Sequence, residues 1–266
     1  MRLHFSVLGL ASVLAAQPAL AQEALHDPWE GANRQLFALH ESVDRAAIEP
    51  VARGYRAITP APVREGVRNF LRNLRAPVTF ANDVLQGEGE RAGVTAARFG
   101  VNSTLGLAGL FDPASTMGLP FHEEDFGQTL AVWGVDEGPY VFIPLLGPST
   151  VRDVAGRIAD SAVDPLSWAD FDDADTARSV RTGATALATR ESILDAVESV
   201  RRDSIDPYVS IRSTYGLLRE SAIQNGRADV QNLPEFEQSP PPSEEEIAPV
   251  APPSSEAPAP EVGAGT

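Results

Sequence analysis

Catalysis in this chain would have to come from few residues. Apart from His4 in an apolar leader, the histidines are His26, His40 and His122, and none sits at the spacing of a helical zinc site. His122-Glu123-Glu124-Asp125 offers four potential ligands in a row, yet four adjacent polar residues on a loop read as a solvated turn rather than a metal centre. Ser103 and Ser149 stand in helix-packing and cap contexts, outside any Gly-x-Ser-x-Gly elbow. No glycine-rich loop ends in Lys and Ser or Thr to cradle a phosphate. Cysteine is absent, which removes disulfides, thiolate metal sites and cysteine nucleophiles. Triad partners that lie far apart in sequence escape a motif scan, but no residue argues for a hydrolase. The expectation is no catalytic site, no metal and no cofactor.

Binding chemistry is better represented. Val63, Val67, Phe70, Leu71 and Leu74 fall on one side of a helix expected to open near Pro62, with Arg64, Arg68, Arg72 and Arg75 beside them. An apolar stripe edged with arginine suits acyl chains and lipid phosphates; it equally suits an ordinary surface helix with a solvated basic edge. In a helix over 91–110, Ala92, Ala96, Gly100, Thr104 and Ala108 repeat every four residues. Such a rung admits close backbone contact, either between helices in lipid or at a tight crossing in a soluble bundle. Arg98 lies in that helix and needs a partner if buried, for which Asp153 is the candidate. From Leu110 to Pro148 the chain is rich in Gly, Pro and aromatics, including Phe111, Phe126, Trp133, Tyr140 and Phe142. The runs 128–135 and 140–143 could pair as a small hairpin or remain extended loop.

The elements that must position these residues are helices separated by Pro/Gly punctuation. Asp27, Pro28 and Glu30 read as N-cap, first-turn proline and capping-box acid of a helix running to about Ile48, ahead of Pro50. Thr150 with Asp153 reads as a second capping box, opening a short helix to Ile158. Two longer helices are expected at 174–202 and 207–224, the last with Tyr208, Ile211, Tyr215, Leu218 and Ala222 as a core stripe. Residues 1–21 read as an export signal, with Arg2, an apolar run and Ala19-Leu20-Ala21 as cleavage site. Residues 234–266 hold nine prolines, seven glutamates and no basic residue, the composition of a disordered tail. The 22–233 body carries 30 acidic residues against 20 arginines, a net charge near −10, and no lysine, which disfavours nucleic acid as a partner.

Several motifs follow one another in a fixed order along most of residues 27–226. They are Asp27-Pro28-Trp29-Glu30 with Asn33-Arg34, Pro50-Val51-Ala52 with Tyr55, and Asn69-Phe70 with Asn73-Leu74. Further on come Asn82 with Leu85-Gln86-Gly87, and Arg98-Phe99 with Asn102. The densest stretches are Asp125-Phe126-Gly127-Gln128-Thr129-Leu130, Trp133-Gly134-Val135, Gly138-Pro139-Tyr140, Pro144-Leu145-Leu146-Gly147-Pro148-Ser149 and Arg152-Asp153, with Asp206-Pro207-Tyr208 as a late echo. This pattern resembles the MlaA (VacJ) family of outer-membrane phospholipid-trafficking proteins.

The resemblance implies a mainly α fold: one domain of several amphipathic helices forming a ring embedded in the inner, periplasm-facing leaflet of a Gram-negative outer membrane, with a short hairpin or Gly/Pro-rich loop. An amphipathic channel through the ring would pass misplaced outer-leaflet phospholipids to a soluble periplasmic carrier, and a trimeric porin would be a further partner. On this reading Phe111, Phe126, Trp133, Tyr140, Phe142, Leu145 and Leu146 border the lipid path or the membrane. Arg64, Arg68, Arg72 and Arg75 would meet headgroups. Many family members carry a lipid on an N-terminal cysteine; this chain has no cysteine to bear one. The alternative is a porin-binding scaffold of the envelope that conducts no lipid.

Overall fold

Five prolines stand at helix starts, where helix survives them, and a sixth, Pro77, lies inside a helix. Pro50, Pro62, Pro113, Pro165 and Pro207 each occupy the first or second position of a helix, where a missing N–H is least costly. The computed structural model describes residues 25–225; the expected leader and the acidic tail lie outside the described residues. In chain order α1 (Glu30–Val43), a π-helical turn (Asp44–Ile48) and α2 (Glu49–Ile58) run into one another. They are followed by α3 (Ala61–Leu85), α4 (Gly89–Thr104), α5 (Pro113–Thr116), α6 (Phe126–Val132), β1 (Tyr140–Ile143), β2 (Gly147–Thr150), α7 (Val151–Val163), α8 (Pro165–Trp168), α9 (Ala174–Ser192), α10 (Leu194–Asp203) and α11 (Pro207–Ile223). The described residues are mainly helical with one small hairpin, as expected. No helix among the described residues is long and apolar enough to cross a membrane.

Local structure departs from the sequence-based expectation at identifiable places. Asp27 does not cap the first helix, whose N-cap is Trp29. Its carboxylate accepts instead from Asn33 at 2.8 Å, from Arg212 at 2.9 Å and from the Tyr208 hydroxyl. Pro50 does not stop the helix either. The π turn before it lets the Glu49 N–H reach back to Asp44, and the widened backbone carries the chain past the proline.

The hairpin exists, but its strands are 140–143 and 147–150, with Tyr140 opposite Thr150 and Ile143 opposite Gly147. Residues 126–132 are helical because Asp125 caps them, accepting the Gln128 N–H at 2.9 Å. Thr150 caps α7 through the Asp153 N–H as expected, and that helix runs on to Val163. The helix expected over 174–202 breaks at Ile193 into α9 and α10. In α11 Tyr208 is buried, whereas Leu218 faces outward.

The helix expected over 91–110 ends at Thr104 and gives way to a turn with positive φ at Leu107, Ala108 and Gly109. Of the small-residue rung only Ala92 is buried; Ala96, Gly100, Thr104 and Ala108 are exposed. The inward face of α4 is Ala92, Thr95, Arg98 and Asn102, a mostly polar face.

That polarity runs through the interior. One aromatic cluster, Tyr140, Phe142 and Tyr208 with Phe37 and Tyr215 against it, packs edge to face at centroid distances of 5.3–6.3 Å. The other buried apolar residues are mostly alanines, with Val78 and Leu194. Buried polar residues outnumber them and include Asp44, Asn82, Asp83, Glu124, Thr129, Asp153, Asp160, Arg190 and Glu191. Bulky apolar side chains lie outside: Ile58, Leu105, Leu107, Phe111, Met117, Leu145, Leu146, Ile158, Trp168 and Leu218 are all exposed.

Candidate functional site

An interior of charges holds together only if each charge is paired, and the arginines do that pairing. Arg190 grips Asp44 with two hydrogen bonds of 2.7 Å, and Arg201 adds a third at 2.6 Å while also holding Glu41. Burial pushes the Asp44 carboxyl up, but those two guanidiniums outweigh it and bring it down to about 2. Arg219 bridges Asp125, at 2.7 Å, and Asp153, at 2.6 Å, and so ties α11 to the cap of α6 and the first turn of α7. Asp125 likewise lies at about 2, with burial overridden by Arg219.

The four arginines of α3 belong to the same lattice. Arg64 and Arg68 both reach Glu191, at 3.1 and 3.2 Å, while Arg72 approaches Glu123 at 4.0 Å and Arg75 approaches Asp160 at 3.6 Å. Arg64, Arg68 and Arg75 are therefore partnered by acids of other elements, whereas Arg72 stands near Glu123 without a hydrogen bond to it. Arg98 and Asp153 do not meet. Arg98 is buried as its helix position requires, but its carboxylate is Asp112 at 2.8 Å, and it also donates to Ser115. Asp112 sits 14 residues on, at the cap of α5, which brings it nearer along the chain than Asp153, whose charge Arg219 takes.

The candidate path residues divide into two groups. Phe111, Trp133, Leu145 and Leu146 are exposed, and Phe126 is half-buried with its ring edge-on to Trp133 at 5.7 Å. Leu145, with φ of 72°, turns the hairpin and carries Leu146 outward with it. Tyr140 and Phe142 do not join them: at 0% and 3% exposure they form the aromatic core. The alternation of strand β1 puts both on the inner face, beneath an Asn33 side chain that bonds the Tyr140 carbonyl and the Phe142 N–H.

One constellation has the residue types of a catalytic triad. Thr95 donates to Asp83 at 2.6 Å and lies 3.1 Å from His122 Nε2, which is itself 3.0 Å from Asp83. Hydroxyl and carboxylate thus meet the same ring nitrogen. A triad needs them on opposite nitrogens, so that the ring takes a proton on one side while held on the other. This grouping is a buried hydrogen-bond knot, not a nucleophile and its base. Among the described residues no group of His, Cys, Asp or Glu could hold a metal ion.

Beside this knot, α3, α4 and the segment before α6 enclose a cleft of about 40 Å³. Asn69, Arg72, Asn73 and Thr79 line it from α3, Thr95, Arg98, Phe99 and Asn102 from α4, and Asp112, Phe121 and His122 from the following segment. Its wall is polar on the α3 side and aromatic at Phe99 and Phe121. Two guanidiniums lie over the Phe121 ring, Arg72 at 4.7 Å and Arg98 at 5.4 Å from its centroid. Asp112, which caps α5, is pushed up by burial but brought down to about 2 by hydrogen bonds from Ser115, Asn102 and Arg98. Periodicity singled out Arg72 and Arg98; it did not reveal Phe121 or Asp112, although the Asp112-Pro113 pair is itself a cap signal.

Comparison with known proteins adds an independent line. The family model described as MlaA lipoprotein matches residues 25–222. The chain is 34% identical over 234 residues to the intermembrane phospholipid transport system lipoprotein MlaA of Escherichia coli K12, covering 85% of this chain and 90% of that one. It is 35% identical over 201 residues to an uncharacterized protein of Rickettsia felis, covering 75% and 79% respectively. A solved structure described as the structural basis for maintenance of bacterial outer membrane lipid asymmetry superposes with a TM-score of 0.66 at 34% identity. It covers 74% of this chain and 98% of its own.

Proposed function

The chain belongs to the MlaA lipoprotein family, and on that premise we propose that it transports phospholipid at an outer membrane, removing misplaced molecules from the outer leaflet. The observation that carries this reading is the inverted distribution of polarity, with charges and amides inside and leucine, isoleucine, phenylalanine and tryptophan outside. Water rewards the opposite arrangement at roughly 25 cal/mol per Å² of apolar surface buried; a surrounding of acyl chains removes that penalty. No described helix is long and apolar enough to cross; on this reading the helices lie in one leaflet as amphipathic elements.

The remainder follows from what a lipid path requires. Chains need apolar wall and headgroups need polar wall, with no covalent step, so the protein acts as a conduit and not as an enzyme. Residues 1–21 direct export, and the body of 22–233 sits in the periplasm-facing leaflet. Phe111, Phe126, Trp133, Leu145 and Leu146 meet lipid. A soluble periplasmic carrier takes the lipid on, and a trimeric porin holds the body in place. With no cysteine in the sequence, attachment rests on the exposed apolar side chains and that partner.

A clean deletion strain tests the reading. Phospholipid should accumulate in the outer leaflet, measured by outer-leaflet labelling, and detergent sensitivity should rise; unchanged leaflet composition and sensitivity would refute it. If the purified protein retains a porin but no lipid, the scaffold role replaces transport.

A further inference from the structure

The cleft between α3, α4 and the segment ahead of α6 is built for an anion. Its volume of about 40 Å³ admits roughly three waters, the scale of a single phosphate group. One of its charges makes no hydrogen bond. Arg98 is spent on Asp112 and Ser115, and Asp112 on Arg98, Asn102 and Ser115. His122 turns to Asp83 behind it. Arg72 is left, with its counter-charge Glu123 at 4.0 Å, beyond hydrogen-bond reach. Its guanidinium is held over Phe121, which fixes the fork while leaving its donors unspent. Asn69 and Thr79 line the same space, and Phe99 and Phe121 supply apolar wall beside it.

We propose that this cleft binds the phosphate of a phospholipid headgroup, with Arg72 as its charged ligand and Phe121 and Arg98 setting the position of that guanidinium. The inference rests on the phospholipid reading above and deepens it by naming where a headgroup is held. The phosphate takes the Arg72 fork, and the glycerol and the first acyl carbons leave along the aromatic wall.

The test uses the protein from residue 22 to 266, purified in detergent, and calorimetric titration with dihexanoylphosphatidylglycerol, dihexanoylglycerol or inorganic phosphate. Arg72→Gln is the variant, since Arg72 is half exposed and its loss leaves no buried charge unpaired; circular dichroism checks its fold. Wild type should bind the short-chain phospholipid, Arg72→Gln should bind it tenfold or more weakly, as loss of a charge-assisted hydrogen bond implies, and dihexanoylglycerol should not bind. Phe121→Leu should weaken binding less than Arg72→Gln. Equal affinity of wild type and Arg72→Gln overturns the cleft assignment and leaves transport standing. So does a wild type that co-purifies with phospholipid yet ignores the short-chain probe. Inorganic phosphate binding as tightly as the lipid reassigns the cleft to free phosphate. A wild type that neither co-purifies with phospholipid nor binds the probe overturns the transport reading itself.

Discussion

At the scale of single residues, stability rests on charges that cannot be removed one at a time. Arg219→Ala would leave Asp125 without its bidentate cation and Asp153 with only Arg152, at 3.4 Å, and should cost about 3–5 kcal/mol, read as a lowered urea midpoint in detergent; a loss under 1 kcal/mol would show that water reaches both carboxylates. Asp44, Asp112 and Asp125 share a pH signature. Their folded pKa values lie at about 2, below the unfolded value near 4. Their stabilisation is therefore complete above about pH 4 and disappears as pH falls from there towards 2. A urea midpoint that stays flat from pH 5 to 2.5 would contradict this. The need to pair Arg98 was legible in the sequence, because an arginine inside a helix with a buried face requires an acid. The identity of the acid was not. Asp153 was a reasonable candidate until Arg219, Tyr215 and Asp153 itself are seen to meet, a contact between elements more than 60 positions apart.

At the scale of elements, the tight helix crossing lies elsewhere than the small-residue rung of α4 indicated. It is between α6 and α7, where Gly127 and Gly156 face each other backbone to backbone. A Cβ on Gly156 would come within 2.3 Å of the Gly127 nitrogen, and one on Gly127 within 2.6 Å of Asp153 Oδ1. Gly156→Ala must therefore push α6 off α7, at about 1–3 kcal/mol, and should lower the melting temperature clearly; Gly100→Ala, with nothing within 4 Å, should not. A four-residue rhythm advertises a smooth helix face whether that face points inward or outward, so α4 misled. Gly127 and Gly156 lie in separate helices, and no periodicity links them. Capping signals transferred better. Thr150 opens its helix where its residue type and spacing say it should, whereas Asp27 is drawn off its helix by Arg212 and Tyr208, more than 180 positions away. Pro50 was misread because the π turn that accommodates it has no residue-type signature.

At the scale of the whole molecule, the inversion of polarity was hidden in plain totals. A chain with 43% hydrophobic residues and 22% charged has the composition of an ordinary water-soluble domain; only placement shows which kind of residue faces out. Membrane attachment should accordingly depend on the apolar segment after α4. Leu107→Asp combined with Phe111→Asp should shift the protein from the membrane pellet to the soluble fraction without unfolding it, because both side chains are exposed and neither supports the core; retention in the pellet would place the contact elsewhere. The outward-facing aromatics have a practical corollary. The three tryptophans, Trp29, Trp133 and Trp168, are 49%, 53% and 74% exposed, so each indole would be wetted in water and sheltered among acyl chains. Intrinsic fluorescence then becomes a built-in gauge of insertion: emission should move to shorter wavelength when the protein passes from a bare buffer into vesicles, with no dye attached and no residue replaced.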